Sequence, residues 1–149
     1  MAMDELDLAL RNLTYRLFVD LGRAPSADEA AAAAHLAPDA VLAGWRRLAD
    51  EHAIVMNDTA DALLMANPFS AVPTQHRVEV AGRSWFANCA WDAFGICAAL
   101  DADGVITTSC PCCGDELAVE VRDRRPRDQE LLFHCLVPAS HWWDNIVFT

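Results

Sequence analysis

The stretch Asn88-Cys-Ala-Trp-Asp-Ala-Phe-Gly-Ile-Cys-Ala-Ala-Leu100 decides how the second half of this chain is built. It is apolar on nearly every side, as a helix enclosed by other elements is. Short strand patterns flank it. Before it, Arg77–Val80 and Arg83–Phe86 surround Ala81-Gly82, a tight turn between two strands. After it, Asp101-Ala-Asp-Gly104 turns the chain into a strand at Val105–Ser109. Cys110-Pro-Cys-Cys-Gly114 is a second turn, and Glu116–Val121 returns as a strand. Arg122–Asp128 reads as a charged loop, Leu131–Val137 as an apolar strand, and Pro138 as the start of a helical turn carrying Trp142 and Trp143. A helix set inside antiparallel strands makes this half α+β.

The first half has a different texture. Leu6, Leu10, Leu13, Leu17 and Leu21 recur at three- and four-residue spacing, so one helix face is apolar, with Gly22 to close it. Ser26-Ala-Asp-Glu29 is a capping-box pattern that opens an alanine-rich helix. Pro38 suits the first turn of a third helix, on which Val41, Leu42, Trp45 and Leu48 share a side. Ala53–Met56 and Ala62–Ala66 flank the polar turn Asn57–Asp61 and predict a hairpin. Three short helices followed by a hairpin give a winged-helix-like lobe over residues 1–66. A proline-punctuated linker at 67–75 then leads to an α+β lobe at 76–149.

Charge narrows the function. The chain carries a net charge of −11, with arginine and no lysine. Residues 1–75 hold 11 acids against 5 arginines, so the winged-helix pattern lacks the cationic face that nucleic acid demands, and no nucleic-acid partner is expected. An acidic body also repels anionic membrane, and no apolar run approaches the roughly 20 residues of a membrane span. The acidic opening Met1-Ala-Met-Asp-Glu-Leu-Asp7 is unlike a signal or transit peptide, which makes a reducing, cytoplasmic location the expectation. Six cysteines then read as thiols or metal ligands ahead of disulfides.

Two of the reactive groups are close in sequence. Asn88 is a good helix cap, which would put Cys89 at the first helical position, where free backbone N–H groups lower a thiol pKa. Asp92, three residues on, shares its face, and a dry site would raise its pKa. A protonated carboxyl beside a soft nucleophile can deliver a proton to a leaving group. The same spacing also suits a packed thiol beside a carboxylate that only stabilises the helix start. Cys97, deep in the apolar run, reads as core, and Cys135 as packing or as a residue facing the site. Cys110 and Cys113 have the C-x-x-C spacing of a zinc knuckle without a second ligand pair, and with Cys112 they form a thiol cluster suited to Cu(I) or Hg(II).

These residues resemble the alkylmercury lyase (organomercurial lyase) family. Trp85-Phe-Ala-Asn-Cys-Ala-Trp-Asp92 looks like the family's catalytic Cys-Ala-x-Asp helix. Cys110-Pro-Cys-Cys113-Gly114 looks like its following turn, with Cys113 where threonine is usual. Leu136–Thr149 is similar to the stretch leading into the family's second catalytic cysteine, which would fall at or just past Thr149. The chain as given stops there without it, as a shortened chain or one lacking that thiol would.

The resemblance implies that Cys89 takes the mercury atom and that Asp92 protonates the departing carbanion. It makes Cys110 a structural cysteine. Cys113 is the first choice to replace the second thiol, ahead of Cys112 and Cys135. The mercury-binding thiols would then come from Cys89, Cys110, Cys112, Cys113 and Cys135. Trp85, Phe86, Trp91 and Phe94 would wall a dry cavity for the organic group. The substrate would be a small organometallic compound, with no resident cofactor and with external thiols taking part. Two other readings share these residues: a non-catalytic thiol-based binder of soft metals, and a lyase-like scaffold acting on another small molecule. Oligomeric state is not legible.

Overall fold

The structure, a computed structural model, describes residues 4–127 and 130–148. Asp128, where the charged loop ends, and Thr149 lie outside the described residues.

Helix α1 (Glu5–Leu21) is capped by Asp4, whose carboxylate accepts from the Asp7 backbone N–H at 2.7 Å, and it ends on Gly22. Helix α2 (Ala27–Ala34) opens on a complete capping box between Ser26 and Glu29. Helix α3 (Pro38–Asp50) has its proline in the first turn, where the missing N–H costs nothing. One polar pin fixes α3 to α1: the Arg47 guanidinium donates to both carboxylate oxygens of Asp7, at 2.9 and 2.6 Å. Arg46 donates to the Ala60 carbonyl and so ties α3 to the hairpin turn. Inside the lobe, Trp45 is fully buried. Its indole N–H is satisfied by Thr14 Oγ1 at 2.9 Å, which itself donates to the Leu10 carbonyl.

The expected hairpin forms from β1 (Val55–Met56) and β2 (Leu63–Ala66), and β3 (Phe69–Ser70) adds a third antiparallel strand. Strand β3 lies within the segment read as a linker. Phe69 is 2% exposed, and a bridge from Phe69 to Ala87 joins this small sheet to the second half. The second sheet is antiparallel throughout, in the order β5–β4–β6–β7–β8. Its strands are β4 (Arg77–Val80), β5 (Arg83–Phe86), β6 (Gly104–Ser109), β7 (Glu116–Arg122) and β8 (Arg125–Pro126). Alternation does what it must: Val78 and Val80 point inward while Arg77 and Glu79 face out.

Helix α4 (Ala90–Ala99) lies between β5 and β6 in sequence and packs on β4 and β6. The fit is close at Gly104. A Cβ there would stand 2.8 Å from the Glu79 carbonyl oxygen and 3.0 Å from the Cys97 sulfur, so only glycine admits the helix to that distance. The aromatic run Phe18–Phe69–Trp85, with centroids 5.7 and 6.4 Å apart, carries one core from the helices into the sheet. The fold is therefore α+β, with N-terminal helices, mostly antiparallel sheets and an internal helix. Among the described residues, no helix is long and apolar enough to cross a membrane.

One expected element does not form. Leu131–Val137 is irregular and exposed, with Leu132 95% accessible. Its adjacent Leu131 and Leu132 break the alternation a half-buried strand needs. The edge beside β7 is already taken by β8, which lies inside the segment read as a charged loop. The Leu131–Val137 segment runs instead as a strap into a 3₁₀ turn at Ala139–Asp144. Two ring contacts hold the strap: Phe133 against Trp91 at 5.8 Å, and Trp143 stacked on His52 at 4.2 Å.

Candidate active site

Helix α4 begins one residue later than its sequence suggests. Cys89, not Asn88, is the cap, with extended backbone angles, and its sulfur accepts from the Asp92 backbone N–H at 3.5 Å. The sulfur takes the place of the usual capping oxygen, which leaves the Asn88 side chain free for other work. Asn88 Nδ2 donates to Asp92 Oδ2 at 3.1 Å and to Asn67 Oδ1 at 2.9 Å. The Cys89 thiol and the Asp92 carboxyl line the same cavity, and each shifts the pKa of the other.

Electrostatics at this pair differ in part from the sequence expectation. Burial pushes the Cys89 thiol pKa up, and the backbone N–H groups of Asp92 and Trp91 offset it only in part. The expected net lowering at a helix start is overridden by desolvation. Burial raises the Asp92 carboxyl as well, opposed by the hydrogen bonds from Asn88 and Cys89. A carboxyl that resists ionisation beside a half-buried thiol is a proton store next to a soft ligand.

The pair opens into a cavity of about 650 Å³. Helix α4 lends it Cys89, Trp91, Asp92 and Phe94; the sheet lends Ile106, Thr108, Leu117 and Val119; the strap closes it with Leu131, Phe133 and Cys135. The walls are mainly apolar with a minority of polar side chains, as in a site for a small, largely hydrophobic molecule.

Of the four aromatics expected at the site, Trp91 and Phe94 line the cavity and Trp85 and Phe86 do not. Trp85 is 4% exposed and donates to the Phe18 carbonyl at 3.0 Å, so it belongs to the core that joins the two halves. All six cysteines are free thiols. Cys97 is buried among core residues. Cys135 lines the cavity and is exposed, its thiol donating to the Val137 carbonyl at 2.9 Å. Cys110, Cys112 and Cys113 do not line it, because the β6–β7 turn carries them past its rim. Cys113, the first choice to replace the second thiol, thus does not line the cavity with Cys89, whereas Cys135 does. The broader thiol cluster also does not assemble: among the described residues, no three His, Cys, Asp or Glu side chains are placed to hold one metal ion.

Sequence reasoning missed His76, Asn67 and Tyr15. His76 lines the cavity, pairs through Nδ1 with Thr108 Oγ1 at 2.8 Å, and has its pKa lowered by burial. It therefore stays neutral at physiological pH. The Tyr15 hydroxyl, from α1, donates to the Asn67 carbonyl at 2.9 Å and braces the Asn67 turn behind Asn88. Asn67 stands beside a proline and His76 just before β4, whereas Tyr15 lies in the middle of α1, where no sequence signal marked it.

The alkylmercury lyase family model (MerB) matches residues 69–149, more than half of the chain. This chain belongs to the alkylmercury lyase family. The crystal structure of the mercury-bound form of MerB2 is similar to this fold, with a TM-score of 0.66 and 22% identity. The match covers 85% of this chain and 60% of that one, so the chain spans about three-fifths of the length of that solved relative. At that identity the likeness is one of fold. No curated protein sequence matches this lyase-family chain.

Proposed function

We propose that this protein cleaves carbon–mercury bonds by protonolysis, with Cys89 taking the mercury and Asp92 delivering the proton. The observation that carries the reading is the placing of both Cys89 and Asp92 in the wall of one largely apolar cavity, the Cys89 sulfur accepting from the Asp92 backbone N–H. As the Cys89 sulfur bonds to mercury, its proton passes to Asp92 and the original ligand of mercury leaves as an anion. Thiolate donation into mercury weakens the carbon–mercury bond. The Asp92 proton then goes to the carbon as that bond breaks, with the bond's electron pair, giving a hydrocarbon and returning Asp92 to its carboxylate. The Hg(II) left on Cys89 takes a second thiolate. Cys135 is the other thiol lining the cavity and is the favoured candidate ahead of an external thiol. Trp91, Phe94 and Phe133 receive the organic group and keep water from the carbanion-like carbon.

The helical half is read as a winged-helix-form lobe that supports the site without binding nucleic acid. Arg46 and Arg47, the cations of its third helix, are engaged internally. Tyr15 and Asn67 carry that support to Asn88.

The test is headspace chromatography of benzene from a phenylmercury salt. Wild type should release benzene, and Cys89→Ser should release none. Asp92→Asn should fall by about 10²–10⁴-fold, the usual share of a general acid, while still retaining mercury. A wild type that retains phenylmercury stoichiometrically without releasing benzene would make the protein a binder, and the reading would be wrong.

A further inference from the structure

The sheet floor of the cavity changes character along one face. Where α4 covers it, Val78 stands opposite Ile106 and Ile106 opposite Val119, and all three are buried. One step along the same face, the row becomes His76, Thr108 and Leu117, and all three line the cavity. His76 Nδ1 pairs with Thr108 Oγ1 at 2.8 Å, while Nε2 meets the Gln75 amide nitrogen at a marginal 3.4 Å. The His76 backbone is fixed on both sides. Its N–H donates to Thr74 Oγ1 at 3.1 Å, and its carbonyl accepts at 2.9 Å from the N–H of Ala87, two residues before Cys89.

Sheet register does not require this polarity, since Val78 and Ile106 hold the same pairing one step away with apolar side chains. The polar pair also leaves hydrogen-bonding capacity over, whichever nitrogen carries the imidazole proton. If Nδ1 donates to Thr108, the Thr108 O–H has no partner among the described residues, and Nε2 is a weakly engaged acceptor. If Thr108 donates to Nδ1, the Nε2–H meets the Gln75 amide nitrogen, itself a donor. A hydroxyl both donates and accepts, so it satisfies the row in either case. Charge narrows the occupant further. Among the described residues no lysine or arginine lines the cavity and Asp92 does, so a carboxylate would enter without a counter-ion.

We infer that His76 and Thr108 form a subsite for an uncharged polar substituent, a hydroxyl above all, on the organic group of the substrate. The inference rests on the proposed cleavage for the mercury-bearing end of that substrate and deepens it at the other end. Hydroxyaryl mercurials are preferred to their methyl analogues, and carboxylated ones are refused. No bond forms or breaks at the subsite. His76 and Thr108 select the organic group, and Cys89 and Asp92 react with the mercury and the carbon.

The experiment uses the full chain, with and without mercury. In the first arm, hydroxyphenylmercury and methylphenylmercury compete for limiting protein as matched meta and para pairs. The ratio of phenol to toluene released gives their relative kcat/KM. His76→Phe and Thr108→Val should each lower that ratio by about fivefold to tenfold for at least one pair, the share of one neutral hydrogen bond. Ring electronics cancel, because the same pair is compared in every variant. In the second arm, saturation-transfer NMR on the mercury-free wild type should show phenol bound ahead of toluene and benzoate not bound. Both variants should lose the preference for phenol. Circular dichroism checks that each variant is folded, and the wild-type binding order stands without either. Toluene or benzoate bound as well as phenol would overturn the inference, as would product ratios unchanged in both variants. A protein that prefers phenol through His76 yet releases neither phenol nor toluene from the mercurials would keep the subsite and overturn the lyase reading instead.

Discussion

Asn88 is the residue whose replacement tests most about how the site is held. Asn88→Ala deletes a bond of 2.9 Å to Asn67 Oδ1 and one of 3.1 Å to Asp92 Oδ2; the 3.4 Å approach to the Phe69 carbonyl is marginal. A neutral bond contributes about 1 kcal/mol and one to a charged group about 1.5–3 kcal/mol. Against this, Asn88 Oδ1 is buried without a partner, and removing it recovers about 1–3 kcal/mol. The net cost is about 1–2 kcal/mol, or a fall in Tm of about 2–8 °C for a chain of this size. Activity should suffer more than stability. An Asp92 carboxyl no longer fixed from the side swings away from the sulfur, and misplacement on the ångström scale costs about 10–100-fold in rate.

The pH dependence has a definite sign. The Asn88 bond lowers the Asp92 pKa, so its loss lets that pKa rise further. The alkaline limb of kcat, which reports the acid in the mercury-loaded complex, then moves to higher pH in Asn88→Ala. Thermal melts and single-turnover benzene release across pH measure both effects. A variant with wild-type Tm, rate and pH profile would refute the claim that Asn88 orients Asp92.

Asp92→Asn should be more stable than wild type at neutral pH. The folded-state pKa of Asp92 is raised by burial, so ionising it costs stability as pH rises from the ordinary aspartate value through the folded one. Below that window the two proteins should melt together. Asp7 has the opposite sign: its hydrogen bonds to Arg47 lower its pKa, so its contribution is present above the ordinary aspartate value and lost as pH falls through the folded one. Asp7→Asn should cost about 1 kcal/mol at neutral pH in urea titrations, discounted because Arg47 is half exposed, and the difference should vanish in acid. Cys135→Ser should still release benzene in a single turnover with external thiol present. It should release its Hg(II) faster than wild type, as timed by transfer to a chromophoric chelator.

Where one local rule governs, the sequence could be read directly. The capping box at Ser26 and Glu29 and the alternation of β4 appear where the pattern put them, and α1 forms as expected, but its buried face is Asp7, Leu10, Thr14 and Phe18, while Leu6 and Leu21 of the leucine stripe are exposed. Helix α4 was legible as an enclosed helix, but its cap was not, since sulfur is a poor capping group and asparagine a good one. Placing Cys89 at the cap is what brings its sulfur onto the Asp92 backbone N–H. The aromatics were separable only by strand parity and tertiary contact: Trp85 turns into the core because Phe18 and Phe69 wait there. Cys113 and Cys135 could not be ranked from sequence at all, because the first depends on where a turn projects and the second on a strap with no periodicity. His76 enters the site through its partner Thr108 on the next strand over, a pairing set by sheet register and not by sequence proximity.

The central claim is that a proton reaches the carbon from a group on this protein as mercury is held by Cys89. Turnover of phenylmercury in D2O, with headspace mass spectrometry of wild type, Asp92→Asn and Cys89→Ser side by side, measures it most directly. The account predicts singly deuterated benzene from wild type, little from Asp92→Asn and none from Cys89→Ser. Deuterated benzene at the wild-type rate from either variant would contradict it.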